Sequence, residues 1–223
     1  MGKDLRQKGF TLIELAIVLV IIGIIMGAVI KGQDLMTSAK AKKFTTTVNT
    51  WNMLTWAYMD RMGRFPGDAS SNGIIGDVAA SEQTAAASAI GELAAAGTMD
   101  NAPTNPVIIG GQSLWIYYGN DVPPSGARNV MVICSVANCA TAFTADALRI
   151  VQSVDTSIDG TADAGLGQFR GATAVTLAGA GTINTRTVAA VTAVTGVNET
   201  AAGAATAWAT TQNAAVWLFD RPY

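Results

Sequence analysis

Three aspartates in the second half of the sequence have the type and spacing to bind a hard cation. Asp155, Asp159 and Asp163 stand at four-residue intervals in VDTSIDGTADAG. On one continuous helix these carboxylates would share a face and repel each other, so we expect Gly160 to open a loop instead. Such a loop can gather the oxygen ligands that Ca²⁺ prefers, although its spacing differs from the EF-hand pattern. The sequence leaves two interpretations, a calcium site and a capped, solvated acidic turn.

Two cysteines, Cys134 and Cys139, enclose only four residues. In an oxidising compartment cysteines this close are expected to form a disulfide that closes a small loop, and the alternative is a buried pair of thiols. Two cysteines are too few for a structural zinc site when no histidine accompanies them. The sequence contains no His, which also removes imidazole bases and His-oriented nucleophiles.

Glu14 is the single charged residue in an apolar run that extends from 10 to 30. A carboxylate inside a spanning helix is costly and by default marks a functional site with a partner. Cleavage after Gly9 would give Phe10 a free α-amino group, which is mostly protonated at neutral pH. Helices packed with an axial offset would then pair Glu14 of one copy with Phe10 of its neighbour. The alternative is a carboxylate that snorkels to the membrane interface.

Catalytic chemistry finds little support elsewhere in the sequence. Asp155 and Asp159 would be a candidate acid–base pair, but no nucleophile motif or glycine-rich phosphate loop accompanies them. All six Lys lie in the first 43 residues, so later positions supply no Schiff-base lysine. From residue 44 onward seven Arg face thirteen Asp and Glu, which leaves no overall electrostatic footprint for nucleic acid. We predict that the chain is not an enzyme and has no nucleic-acid partner.

The N-terminal segment must position Glu14, and its pattern is that of a membrane span. Residues 1–9 are short, polar and net positive, and the apolar run 10–30 follows them. A helix of that length is about 31 Å long, which matches a bilayer core of about 30 Å. Basic residues before the run favour a cytoplasmic N-terminus and an extracytoplasmic main domain. An uncleaved anchor and a secretory signal cut at Ala39-Lys40-Ala41 are the alternatives.

The rest of the chain predicts an amphipathic helix followed by a small α+β domain. Apolar positions at helical steps continue the first helix to residue 62, where Gly63 and Pro66 end it. An Ala-rich helix is expected over 81–96 and a second helix over 144–158, capped by Thr144. Strand patterns at 113–118, 129–136 and 216–219, with further strands in the tail 171–213, predict an antiparallel sheet. The amphipathic positions are Phe44, Val48, Trp51, Thr55, Tyr58 and Met62.

The residues from Lys8 to Leu15, KGFTLIEL, closely resemble the processing site of type IV prepilins and type II secretion pseudopilins. The resemblance implies cleavage between Gly9 and Phe10 by a membrane prepilin peptidase, N-methylation of Phe10 and an assembly role for Glu14. Many family members carry a proline within the apolar helix, whereas the first proline here is Pro66. Glycines can soften the helix instead; they stand at Gly23, Gly27 and Gly32.

Two further stretches resemble a subset of prepilin-like proteins. Residues 63–68, GRFPGD, are similar to the GR(Y/F)PGD stretch that follows the long helix in that subset. The acidic loop followed by Gly167-Gln168-Phe169-Arg170 is similar to an Asp-Asp-Gly loop that precedes G-x-x-R. The resemblance implies an α+β, type IV pilin-like fold with a long N-terminal helix over about 10–62 and a small globular head that contains an antiparallel sheet.

The expected organisation is a leader peptide at 1–9, a transmembrane and assembly helix at 10–30, an amphipathic continuation at 31–62 and an extracytoplasmic head at 63–223. The expected function is that of a structural subunit of a type IV pilus-like filament. A pseudopilin of a type II secretion system is the alternative, with a DNA-uptake competence pilin and a membrane-anchored enzyme as minor ones.

The same resemblance implies the partners and the location of the chain. Expected partners are further copies of the chain, other pilins, the peptidase, an inner-membrane assembly platform and the membrane before assembly. The expected location is the inner membrane as a single-pass protein and then a periplasmic or cell-surface filament, a fimbrium in the second case. No cofactor is expected other than the candidate Ca²⁺.

Overall fold

The structure is a computed structural model that describes residues 10–78, 81–82, 87–96, 105–121, 128–178, 193–199 and 203–220. The chain divides into two compact units, residues 1–39 and residues 40–223. Helix α1, Leu12–Met62, contributes to both. The predicted long N-terminal helix is therefore confirmed, with a start at Leu12 rather than at residue 10.

In the first unit, α1 exposes its apolar side chains. From Leu12 to Ile30 every described side chain is exposed. The helix contains a stretch that is long and apolar enough to cross a membrane, as judged by length and composition. Apolar side chains that find no partner in their own chain need either lipid or other protein around them.

In the second unit, α1 buries one face against the head. Phe44, Val48 and Trp51 are fully buried, and Tyr58 is nearly so. Thr55 is also buried, and its hydroxyl donates a hydrogen bond to the Tyr118 hydroxyl at 2.9 Å. The predicted amphipathic face is therefore confirmed at these positions. It is wrong at Met62, which is 54% exposed, because the helix ends there and Gly63 turns the chain away with a φ of 73°.

A six-stranded sheet forms the centre of the head. Its spatial order is β1-β2-β3-β6-β4-β5, neighbours in this order are antiparallel, and β5 also pairs with β2 in parallel at Gly119 and Val194. The predicted antiparallel sheet is confirmed. The strands are β1 Val107–Ile109, β2 Gln112–Asp121, β3 Arg128–Cys134, β4 Phe169–Ala178, β5 Ala193–Glu199 and β6 Ala214–Trp217.

Two further helices complete the head. Helix α3, Ala145–Asp159, begins at the predicted Thr144 cap, whose side chain accepts the Ala147 N–H, and ends at Gly160 with a φ of 81°. Helix α2, Ala89–Ala95, is capped by Ser88. The helix expected over 81–96 is therefore shorter than its composition indicated. Residues 81–82 lie in a turn, and residues 83–86 lie outside the described part. The helix begins only after Ser88, whose side chain accepts the Gly91 N–H.

Candidate functional site

The first turn of α1 holds Glu14 through a reciprocal pair of hydrogen bonds. A carboxylate oxygen of Glu14 accepts the backbone N–H and the hydroxyl of Thr11, both at 2.8 Å. The Glu14 backbone N–H in turn donates to the Thr11 hydroxyl oxygen at 3.4 Å. This arrangement is a capping box, in which two free N–H groups at the start of a helix are satisfied together. It makes Thr11 the N-cap and Leu12 the first helical residue.

The capping box keeps the Glu14 carboxylate at the N-terminal end of α1, close in sequence to Phe10. Phe10 precedes the cap, lies outside the helix and is 90% exposed. Gly9, and with it the predicted cleavage bond, lies outside the described residues. The Thr-x-x-Glu spacing before an apolar run is a sequence signature of this cap, so sequence reasoning could have found it and did not.

The Gly63–Asp68 loop is tied to α2 by one carboxylate. Arg64 donates through both terminal nitrogens to the two oxygens of Glu92, each at 2.7 Å. The Gly67 N–H and the Tyr58 hydroxyl also donate to Glu92, at 2.8 and 3.1 Å. Burial of Glu92 opposes its charge, but these donors and the Arg64 charge together hold its pKa below the usual range. Sequence reasoning missed Glu92, because nothing local links it to a residue 28 positions away.

Two adjacent residues at the end of the same loop each have a structural reason for their residue type. A side chain at Gly67, whose φ is 81°, would place a Cβ 2.7 Å from the Ala89 backbone nitrogen. Asp68 is almost fully buried and accepts the N–H groups of Asn72 and Gly73, at 3.1 and 2.8 Å. The GRFPGD stretch therefore packs the end of α1 against α2 and the loop that follows.

A cavity of about 290 Å³ opens beside this cluster. Glu92, the one carboxylate among its lining residues, already accepts hydrogen bonds from Arg64, Gly67 and Tyr58. The residues that line the cavity therefore provide no free acid–base pair. They are Tyr58, Arg61, Met62, Glu92, Ala95 and Ala96.

The three spaced aspartates each bind backbone N–H groups of the loops around them. Asp155 accepts the Asp163 N–H and the Trp208 indole N–H, both at 2.7 Å. Asp159 accepts the N–H groups of residues 168 and 169, and Asp163 accepts those of residues 165, 166 and 206. This is the geometry that a capped acidic turn requires.

Calcium binding at these aspartates stays a prediction. In the described part of the chain no group of three or more His, Cys, Asp or Glu side chains is placed to hold a metal ion. The Asp155 Oδ1 atom is buried without a hydrogen-bond partner. Titration of the full chain with Ca²⁺ by calorimetry, with Asp155→Asn as the comparison, is the direct measurement.

Asp155 is the most perturbed carboxyl group of this turn. Its side chain is fully buried in the head. Its pKa is raised to about 7: burial is the largest cause, the charges of Asp159 and Asp163 add to it, and the hydrogen bonds from Trp208 and Asp163 oppose it. The neutral form is therefore populated near neutral pH.

The predicted disulfide is confirmed. Cys134 and Cys139 are bonded and both are buried. The small loop that they close is held to β2, because the Tyr117 hydroxyl donates to the Ala137 carbonyl oxygen at 2.8 Å. The bond thus fixes the end of β3 to the segment that leads into α3.

Comparison with known proteins gives one match, at the N-terminus. Residues 4–30 match the family model for the prokaryotic N-terminal methylation motif. The match includes Phe10, Thr11 and Glu14 and ends before the head begins. No curated protein and no solved structure matches the chain significantly.

Proposed function

We propose that the chain is a structural subunit of a type IV pilus-like filament. Its residues 4–30 carry the signature of type IV prepilins and pseudopilins. The chain is a pilin-like or pseudopilin protein, and its apolar helix suits a membrane-anchored, single-pass precursor. The observation that carries the proposal is Glu14, a lone charge held at the start of an exposed apolar helix within the matched motif.

Processing comes first in the proposed mechanism. Prepilin peptidase cleaves between Gly9 and Phe10, removes the basic leader 1–9 and leaves Phe10 as an N-methylated terminus. The capping box supports this step, because α1 begins only at Leu12 and Phe10 lies outside the helix. The new α-amino group keeps its positive charge, since N-methylation leaves an amine that still binds a proton.

Assembly then exchanges lipid for protein around the apolar helices. The apolar side chains from Leu12 to Ile30 are exposed in the described part of the chain, so packing among several copies covers them. Glu14 of one copy pairs with the Phe10 ammonium of a neighbour, which neutralises both charges away from water. This pairing fixes the axial register between neighbouring helices.

A type II secretion pseudopilin is the second candidate, because the same motif marks both kinds of protein. The composition of the tail favours the surface pilus. Between residues 171 and 213 only Arg186 and Glu199 are charged, and Ala, Thr, Gly and Val dominate. A long, weakly charged segment of this kind is suited to a variable, outward-facing surface.

Mass spectrometry of the N-terminus in two fractions tests the proposal. We would compare filaments sheared from cells with washed membranes. Methylated Phe10 that is abundant in the sheared fraction is expected for a major surface pilin. The same terminus confined to membranes would favour the pseudopilin or a minor subunit, and an intact Met1 or a start at Lys42 would contradict the filament role altogether.

A further inference from the structure

The part of α1 that packs on the head also has an exposed face. Met53 is 63% exposed and Trp56 is 36% exposed. Six exposed residues follow each other at steps of three or four along α1, so they lie on one side of the helix. We call them the outer stripe: Lys42, Thr46, Asn49, Met53, Trp56 and Asp60.

Trp56 is held rigidly in this stripe. Its ring packs edge to face on Phe65 at 5.5 Å and on Phe219 at 6.4 Å, and both phenylalanines are buried. A partner that covers Trp56 therefore loses little side-chain entropy on binding. Tryptophan is among the residue types that most often contribute a large share of the binding energy at protein interfaces.

The two ends of the outer stripe carry opposite charges that cannot meet within one chain. Lys42 and Asp60 are eighteen positions apart, which is five helical turns and about 27 Å. No ion pair joins either side chain to a residue in the described ranges. A parallel helix of a second copy, shifted by five turns, would bring its Lys42 level with Asp60 of the first.

We propose that the outer stripe binds α1 of a second copy of this chain, displaced by about five helical turns, with Lys42 of one copy against Asp60 of the other. The inference rests on the proposed filament function and adds a second contact to it. The contact is heterologous, since each copy uses different residues, so it repeats along a polymer without closing into a dimer. It involves a different neighbour from the one that Glu14 contacts, because the axial offsets differ.

Disulfide trapping in filaments tests this contact. The double variant Lys42→Cys with Asp60→Cys, oxidised mildly in sheared filaments, is expected to give a ladder of dimers, trimers and larger species on a non-reducing gel. Each single variant should give no ladder. The matched control, Lys43→Cys with Asp60→Cys, moves the first cysteine by one residue and about 100° around the helix, and should give at least about ten-fold less product.

A charge exchange gives an independent readout. Lys42→Asp and Asp60→Lys should each lower the yield of sheared filaments by about five-fold, which corresponds to about 1 kcal/mol per contact, and the double variant should restore it. Lys43→Asp should leave the yield unchanged. If the cysteine variants do not assemble, the filament yield of the double charge-exchange variant tests the contact: restored yield supports it, and yield as low as in the single variants contradicts it.

The two proposals fail in different ways. Abundant filaments with methylated Phe10 but no cysteine ladder and no restoration would overturn the outer-stripe contact and leave the filament function standing. A wild-type chain that retains Met1 and gives no filaments would overturn both.

Discussion

Glu14 and Glu92 are two carboxylates in contrasting surroundings. Glu92, in the head, has a guanidinium, a backbone N–H and a hydroxyl around it. Glu14, at the start of α1, has only the N–H and hydroxyl of Thr11 among the described residues. Glu92 is thus neutralised by Arg64 of the same chain, whereas no positively charged side chain among the described residues forms an ion pair with Glu14. The first arrangement stabilises the fold, and the second leaves a carboxylate that, in the proposed filament, another copy would neutralise.

The largest expected effect comes from removing the Glu14 carboxylate, which forms no ion pair among the described residues. Glu14→Ala should leave cleavage after Gly9 intact but reduce sheared filaments to background, because no charge remains to pair with Phe10 of the neighbour. Immunoblots of the sheared fraction, together with N-terminal mass spectrometry, measure both steps. Normal filaments from this variant would show that the contrast between the two glutamates has no bearing on assembly.

Removing the Glu92 carboxylate, which is already paired with Arg64, should instead lower the stability of the head. Glu92→Ala leaves the Gly67 N–H without its acceptor and the Arg64 guanidinium without its carboxylate, with only the carbonyl oxygens of residues 65 and 68 as acceptors. We expect a loss of about 3 kcal/mol in the free energy of unfolding. Urea denaturation of the detergent-solubilised chain, followed by tryptophan fluorescence, measures it. Arg149→Ala, which removes an exposed ion pair with Asp146 at 4.0 Å, is the matched control and should cost less than about 0.5 kcal/mol.

The loop around Glu92 should tolerate no side chain at Gly67. Gly67→Ala combines a left-handed backbone with a Cβ 2.7 Å from the Ala89 nitrogen, so we expect a loss of about 2 to 3 kcal/mol. Gly73→Ala shares the positive φ but meets nothing within 4 Å and should cost about 1 kcal/mol. Equal losses in the two variants, measured by the same urea titration, would mean that the contact with α2 contributes nothing.

The head should also become less stable as the pH rises from about 4 to about 7. The folded pKa of Asp155 is about 7, above its unfolded value of about 3.9, so the folded state binds the extra proton in that window. The free energy of unfolding therefore falls by about 1 to 2 kcal/mol as that proton leaves with rising pH. Glu92, with its lowered pKa, acts in the opposite sense below about pH 4.5. The difference between wild type and Asp155→Asn isolates the Asp155 contribution, and parallel pH curves for the two would rule it out.

The smallest effect is expected at Thr11. Thr11→Ala removes the capping hydroxyl and should speed amide hydrogen exchange in the first turn of α1 by about five-fold, as measured in detergent micelles. Thr11→Ser keeps a hydroxyl and should exchange at nearly the wild-type rate. If Thr11→Ala also releases Glu14 from its fixed orientation, filament yield should fall less than in Glu14→Ala.

The sequence predicted the features that depend on near neighbours. The two long helices, the Thr144 cap and the disulfide all follow from residue types a few positions apart. The length of α2 was overestimated because alanine content indicates helix propensity, and propensity is a weak guide against local hydrogen bonding by Ser88. The contact between Arg64 and Glu92 and the order of the strands join distant segments, so a single sequence without an alignment carries no local sign of them.

The position of β6 in the sheet constrains when the head can fold. β3 and β4 are not neighbours, and β6 lies between them and pairs with both. β6 follows every other described strand in chain order, so it is also the last of them to be synthesised. Until it is made, β3 and β4 each lack the partner that one of their edges has in the folded head. Unpaired strand edges favour aggregation, so we expect a head without β6 to aggregate more readily than the complete one.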